Sequence, residues 1–216
     1  MQLMQCPTFQ LLSDFLNLGS EGCYDMDKVY VPIAARVNGA TSGADYNNFV
    51  SGMLTISHSE GVLGTGDVHR ITYTRGVELP SAEGTEFSLE YIIKILPTSD
   101  AMFATVSLGV DIPGETRGFT STKLITGANG YNALLGLGGP GGGGTAGPVS
   151  VPADLTELRI LDTIKVTAGG AVQPPQFSAF TNTFTQRPQN VNGPEPSAIL
   201  GILAVAGVGA FARRKS

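Results

Sequence analysis

The chain has 216 residues, of which 14% are charged and 29 are glycine, and 13 Lys and Arg against 18 Asp and Glu leave a net charge of −5. With 42% hydrophobic residues, it is neither an acidic disordered chain, which needs high charge and few apolar residues, nor a coiled coil, which needs abundant Glu, Lys and Leu. The acidic balance also argues against nucleic-acid binding, since neutralising phosphates takes a basic surface; the Gly-rich and Thr-rich remainder suits an all-β extracellular domain.

Residues 1–26 form a first segment. Residues 9–18 have the pattern of a short helix, and Cys6 and Cys23 flank it. In an exported protein such a pair reads as a disulfide closing a loop of about 17 residues, worth up to about 3 kcal/mol. The alternative is two unrelated buried thiols. No signal peptide is visible: no basic residue precedes Lys28, and Asp14 interrupts the early apolar residues.

Residues 27–187 read as one domain with period-2 hydrophobicity. Phe87, Leu89, Tyr91, Ile93 and Ile95 alternate with Ser88, Glu90 and Lys94, with Ile92 as an outward exception. Met102, Ala104, Val106, Leu108 and Val110 repeat the pattern beyond a short turn containing Pro97 and Asp100, which predicts an antiparallel pair. Further strands are expected over 28–37, 49–57, 68–75, 119–126, 157–167 and 177–185. Eight short strands separated by Gly and Pro predict an all-β fold, an antiparallel β-sandwich of jelly-roll-like type. The segment 127–147 reads as one flexible Gly-rich loop; Gly136, Gly138 and Gly141 have dinucleotide-motif spacing, but Pro140 lies between them and no helix follows.

Little in this domain points to catalysis or metal binding. His58 and His69 are isolated in the sequence, and neither a Gly-x-Ser-x-Gly motif nor zinc-ligand spacing occurs. Asp25 and Asp27 could offer two oxygens to calcium, with Asp162 joining them in space, yet calcium takes six to eight oxygens. Glu86, Glu90 and Asp111 are the acids a glycan hydrolase would draw on. Threonine pairs occur at Thr72/Thr74, Thr120/Thr122 and Thr181/Thr183/Thr185. On neighbouring strands they would form a hydroxyl-and-methyl face suited to carbohydrate or ordered water, although threonine is common on any exposed sheet.

The chain ends in three distinct parts. A linker over 188–196 ends in Pro194-Glu195-Pro196, whose two prolines hold it extended and accessible. An uncharged apolar run follows over about 198–212, and Arg213, Arg214 and Lys215 close it. Residues 197–216 are expected to form a transmembrane helix, although an apolar run of about 15 residues is short against the usual 17 to 25. Ser197 and snorkelling arginines extend it. The terminal basic cluster would leave the preceding domain outside the cytoplasm. A last core helix would instead show polar positions at every third or fourth residue, and this run has none.

Together these parts resemble the PEP-CTERM sorting signal of proteins handled by exosortase in Gram-negative bacteria, including many cyanobacteria. The same short module is also labelled an ice-binding protein C-terminal domain. The resemblance implies that exosortase recognises Pro194, Glu195 and Pro196, removes residues 197–216 and passes the protein to the cell surface or extracellular matrix. By it, the chain is a substrate of an enzyme rather than an enzyme, takes no cofactor, and has exosortase, the membrane and exopolysaccharide or other envelope components as partners. Losing the tail would remove three positive charges and no acid, moving the net charge from −5 to −8. The domain role it implies is structural or adhesive; the alternative is a carbohydrate-binding or ice-binding module.

The opening CPTFQLLSDFLNLGSEGCYDMDKVYV is similar to the mature start of cyanobacterial members of this group, departing from it at Tyr24-Asp25-Met26. That likeness implies an upstream signal peptide missing from this sequence. The other resolution of the missing leader is a simple tail anchor on a protein that stays inside.

Overall fold

The computed structural model describes residues 3–60, 67–77, 79, 82–111, 118–138, 144–167 and 178–188. Thirteen strands fall within them: β1 (Met4–Gln5), β2 (Phe9–Leu11), β3 (Cys23–Asp25), β4 (Lys28–Val37), β5 (Met53–Ser59), β6 (Val68–Thr74), β7 (Glu86–Ile95), β8 (Ala101–Asp111), β9 (Phe119–Gly127), β10 (Asn132–Gly138), β11 (Gly144–Ser150), β12 (Glu157–Val166) and β13 (Ala179–Pro188). Two short helices, α1 (Leu12–Leu16) and α2 (Ala44–Val50), complete the regular elements with a 3-10 turn at Ala128–Gly130.

The strands build two sheets. The first runs β1-β3-β4-β7-β12-β9-β10 and the second β11-β8-β13-β6-β5-β2. Described pairings are antiparallel except β1 with β3. This is the expected β-sandwich. The alternation that predicted β7 is what places it: Phe87, Leu89, Tyr91, Ile93 and Ile95 are all buried, while Ser88, Glu90, Ile92 and Lys94 are not. Phe103, Val106, Leu108, Phe180 and Phe184 supply the opposing apolar layer from the second sheet. Burying each such side chain contributes roughly 1.5–3 kcal/mol.

Near the N-terminus Cys6 and Cys23 are joined by a disulfide. Gly22, just before Cys23, has φ +68°, and a Cβ there would overlap the Tyr30 carbonyl oxygen, so glycine lets β3 fold tightly onto β4. The expected helix over 9–18 is shorter, because residues 9–11 are recruited as β2 and pair with Met53, Leu54 and Thr55 of β5.

Three other expectations are corrected. The runs 87–95 and 102–110, expected to pair with each other, lie in different sheets: β7 pairs with β4 and β12, and β8 with β11 and β13, so the turn containing Pro97 and Asp100 carries the chain from one sheet to the other. The strand expected from residue 49 begins at Met53, since Phe49 and Val50 end α2. Phe49 is fully buried against the rings of Tyr73 (5.0 Å) and Phe87 (5.4 Å), a tertiary contact that local propensity does not reveal. The 127–147 segment is not one loop: Asn132–Gly138 pairs with β9, and Gly144–Ser150 pairs with β8. Both are edge strands, and β11 places Pro148, which has no backbone N–H to give the ladder, at the register irregularity between Ala146 and Val149.

The linker, the Pro194-Glu195-Pro196 box, the expected transmembrane helix and Arg213, Arg214 and Lys215 lie outside the described residues. Among the described residues, no helix is long and apolar enough to cross a membrane.

Candidate functional site

The outward face of the second sheet carries three rows rich in hydroxyl-bearing side chains, beside a row of Leu11, Met53, Thr74 and Ala179. Register aligns Phe9, Thr55, Thr72, Thr181, Gly109 and Thr145 in one row across six strands. A second row holds Ser57, Arg70, Thr183 and Ser107, and a third holds Ser59, Val68, Thr185, Thr105 and Ser150. Neighbouring strands are about 4.8 Å apart and alternate residues on one strand about 6.7 Å, so the first row spans roughly 24 Å. Thr72 and Thr181 place their Oγ1 atoms 3.1 Å apart, and Thr105 and Thr185 place theirs 2.6 Å apart. In these three rows Arg70 is the charged member, and its Nη1 donates to the Ser59 hydroxyl at 3.3 Å.

The sequence pairs Thr72/Thr74 and Thr181/Thr183/Thr185 thus come together on adjacent strands. Thr120 and Thr122 do not join them: they lie on β9 in the first sheet, opposite Lys165 and Thr163. Sequence reasoning missed Thr55, Ser57, Thr105, Ser107 and Thr145, although the same alternation marks the first four. Chemically, each hydroxyl can donate one hydrogen bond and accept two, and threonine methyls lie between them. Such a surface suits a ligand that alternates hydroxyls with C–H faces.

One end of the sandwich gathers a separate polar cluster. His58 and His69, isolated in sequence, are cross-strand partners whose ring centroids lie 6.2 Å apart. His58 Nδ1 is 3.1 Å from Asp25 Oδ2. Asp27 accepts from Lys28 Nζ (2.6 Å), Ser99 Oγ (2.6 Å) and Gln186 Nε2 (2.7 Å). Burial alone would raise the Asp27 carboxyl, but hydrogen bonds from Lys28 and Ser99 outweigh it and hold the group below its usual range. Burial lowers the Lys28 ammonium, which Asp27 partly restores. Burial and then Lys28 push His69 down to about 4, leaving a neutral imidazole. The carboxylates of Asp25 and Asp27 are therefore occupied by internal partners. Asp162 does not join them: it lies in the interior, held by Lys123 and Asn182. Among the described residues, no group of three or more His, Cys, Asp or Glu is arranged to hold a metal ion.

The acids that might serve a glycan hydrolase are dispersed. Glu90 is held by Arg159, with Nη2 2.6 Å from Oε1, and lies 3.9 Å from Arg36. Glu86 and Glu90 share one face of β7 four residues apart, about 13 Å along the strand. Paired glycosidase carboxyls lie about 5–9.5 Å apart. Asp111 is at the end of β8 in the other sheet.

No family model matches the chain, and no curated protein matches it. Among solved structures it is similar to TmCBM61 in complex with beta-1,4-galactotriose, at 9% identity and TM-score 0.35, covering 74% of this chain and 88% of that one. It is also similar to the family 11 carbohydrate-binding module from Clostridium thermocellum in complex with a beta-1,3-1,4-mixed-linked tetrasaccharide, at 11% identity and TM-score 0.24, covering 76% and 89%. A third is the enzymatically active domain of bacteriophage CBA120 tailspike protein 4, at 9% identity and TM-score 0.30, covering 75% of this chain and 19% of that one. Scores this low carry no argument about function.

Proposed function

We propose that the chain is an exported β-sandwich that binds a polysaccharide of the cell envelope or surrounding matrix through the outward face of its second sheet. The observation that carries this reading is the register aligning Thr55, Thr72, Thr181 and Thr145 across that sheet. Hydroxyls predominate in these rows and Arg70 is their charged member, so the face offers hydrogen bonds to sugar hydroxyls and, through the threonine methyls, apolar contact to sugar C–H faces. The dispersed acids and internally satisfied Asp25 and Asp27 favour binding over catalysis.

Delivery rests on the tail. In this reading Pro194, Glu195 and Pro196 are the exosortase recognition box, residues 197–216 hold the protein in the membrane before cleavage, and Arg213, Arg214 and Lys215 set its orientation. The composition of the tail supports this, as does the Cys6–Cys23 disulfide, which suits an oxidising compartment. The structural or adhesive role inferred for such proteins then acquires a surface. The test is binding of the full chain to matrix polysaccharide, with ice-recrystallisation inhibition measured beside it. Ice activity without glycan binding would replace the reading.

A further inference from the structure

Four polar side chains meet in the middle of the apolar interior. Lys123 on β9, Asp162 on β12, Tyr91 on β7 and Asn182 on β13 are 0%, 2%, 0% and 0% exposed. The first three come from one sheet and Asn182 from the other. Lys123 Nζ donates to Asp162 Oδ1 at 2.8 Å and to Asn182 Oδ1. Asn182 Nδ2 donates to Asp162 Oδ2 and to the Tyr91 hydroxyl at 2.8 Å. The neighbours are largely apolar: Asn182 lies opposite Leu108 and Ile71, Asp162 opposite Leu89, and the Phe184 ring centroid is 6.0 Å from Nζ.

As a source of stability this arrangement is poor. Burying an ammonium and a carboxylate costs several kcal/mol per ion, and well-packed apolar residues of similar volume are often as stable. The geometry serves chemistry better. A lysine amine lies against a carboxamide, and the two oxygens of one carboxyl group reach the attacking nitrogen and the departing one.

We propose that Lys123 and Asn182 become joined by an intramolecular amide bond, linking the two sheets covalently, with Asp162 as the catalytic acid and base. A proton first passes from Lys123 Nζ to Asp162, leaving a neutral amine and a carboxylic acid. The amine lone pair attacks Asn182 Cγ, one bond beyond the oxygen that Nζ now contacts. Asp162 takes a further proton from Nζ through one oxygen and gives its own to Nδ2 through the other. The Cγ–Nδ2 bond breaks, ammonia departs, and Asp162 ends as it began the attack, protonated. The products are a secondary amide and one ammonia, so the step needs no oxidant and no co-reactant.

Burial supports the starting state. It lowers the Lys123 ammonium and raises the Asp162 carboxyl, and both directions favour the neutral pair. A desolvated lysine amine is the active nucleophile, and fixed partners in contact raise its effective concentration. Excluding water also protects the intermediate from hydrolysis. Tyr91 holds the carboxamide nitrogen and is a positioning residue. The crosslink would bridge residues 59 apart in sequence and pin β13 of one sheet to β9 of the other.

The test is mass spectrometry of the full chain, denatured and reduced, followed by tandem sequencing of a protease digest. The expected result is a mass lower than the sequence mass by one ammonia, with a branched peptide linking Lys123 to Asn182. Asp162→Asn should show the uncrosslinked mass, as should Lys123→Met. Because such variants can fail to fold, the wild-type digest is decisive alone. Separate, unmodified peptides carrying Lys123 and Asn182 would overturn the proposal. Loss of water with Lys123 joined to Asp162 would overturn the assignment of the acceptor, and full crosslinking in Asp162→Asn would overturn the role of Asp162.

Discussion

Thr72 and Thr181 face each other across β6 and β13, with hydroxyl oxygens 3.1 Å apart, although 109 residues separate them in the chain. Their side chains are half-buried on an outward face, so the hydroxyl pair contributes little to folding. Replacing both by valine should keep the fold and change stability by no more than about 1 kcal/mol, since valine fits a pleated surface as well as threonine. Chemical denaturation of the double variant checks this. A loss of several kcal/mol would mean that the pair is a structural element and not a free surface.

Acid should weaken the fold between about pH 6.5 and pH 4 through His69. Its imidazole is buried beside Lys28, Asp27, Asp25 and His58 and pushed down to about 4. The unfolded chain takes up a proton in that window that the folded chain resists. Stability is therefore complete above the window, falls as pH drops through it, and levels below it, a change of about 3 kcal/mol. Asp27, whose carboxyl is lowered, loses its own contribution only at more acidic pH. Unfolding free energy measured across this range should show the slope in the wild type and a flatter profile in His69→Gln. Equal slopes would assign the effect elsewhere.

Reducing the Cys6–Cys23 bond should cost about 3 kcal/mol, the value for a loop of its size. For a domain of this length that is a fall in Tm of roughly 6–12 °C. Thermal scans with and without reductant, and of Cys6→Ser paired with Cys23→Ser, should agree. An unchanged Tm would place the N-terminal segment outside the cooperative unit.

In cells carrying exosortase, the mature protein should lack residues 197–216, and Glu195→Ala should accumulate at full length in the membrane fraction. C-terminal peptide sequencing distinguishes the two. A secreted wild type still ending at Ser216 would remove exosortase from the account.

The strands that could be read from sequence are those whose burial is decided by their own alternation. In β7 every second side chain is apolar and buried, in β12 the same holds except at Asp162, and in β8 the run ending Val106, Leu108 and Val110 is also recognisable. Strand β10 was illegible because its glycines leave only Ala133, Leu134, Leu135 and Leu137 to mark it, and its ladder is defined by β9. Phe49 misled for the opposite reason: an apolar residue next to a strand was claimed by an aromatic cluster instead. Four members of the outward hydroxyl rows, Thr72, Thr181, Thr183 and Thr185, are visible as Thr-x-Thr spacing, but which pairs share a sheet depends on a strand order that local sequence does not encode. The interior cluster is hidden because Lys123 and Asp162 are charged residue types that read as solvent-facing, although each keeps the buried phase of its strand, Asp162 with Leu158, Ile160, Ile164 and Val166. Asn182 lies between threonines and reads the same way.

The most direct test of the binding face is the affinity of the full chain for exopolysaccharide purified from the cells that produce it. The wild type is compared with a Thr72→Glu/Thr181→Glu variant of matched stability. The expected result is saturable binding by the wild type and at least a tenfold loss in the variant, about 1.4 kcal/mol. Equal binding by both proteins, or no binding by the wild type, would contradict the assignment of the second sheet as a polysaccharide-binding surface.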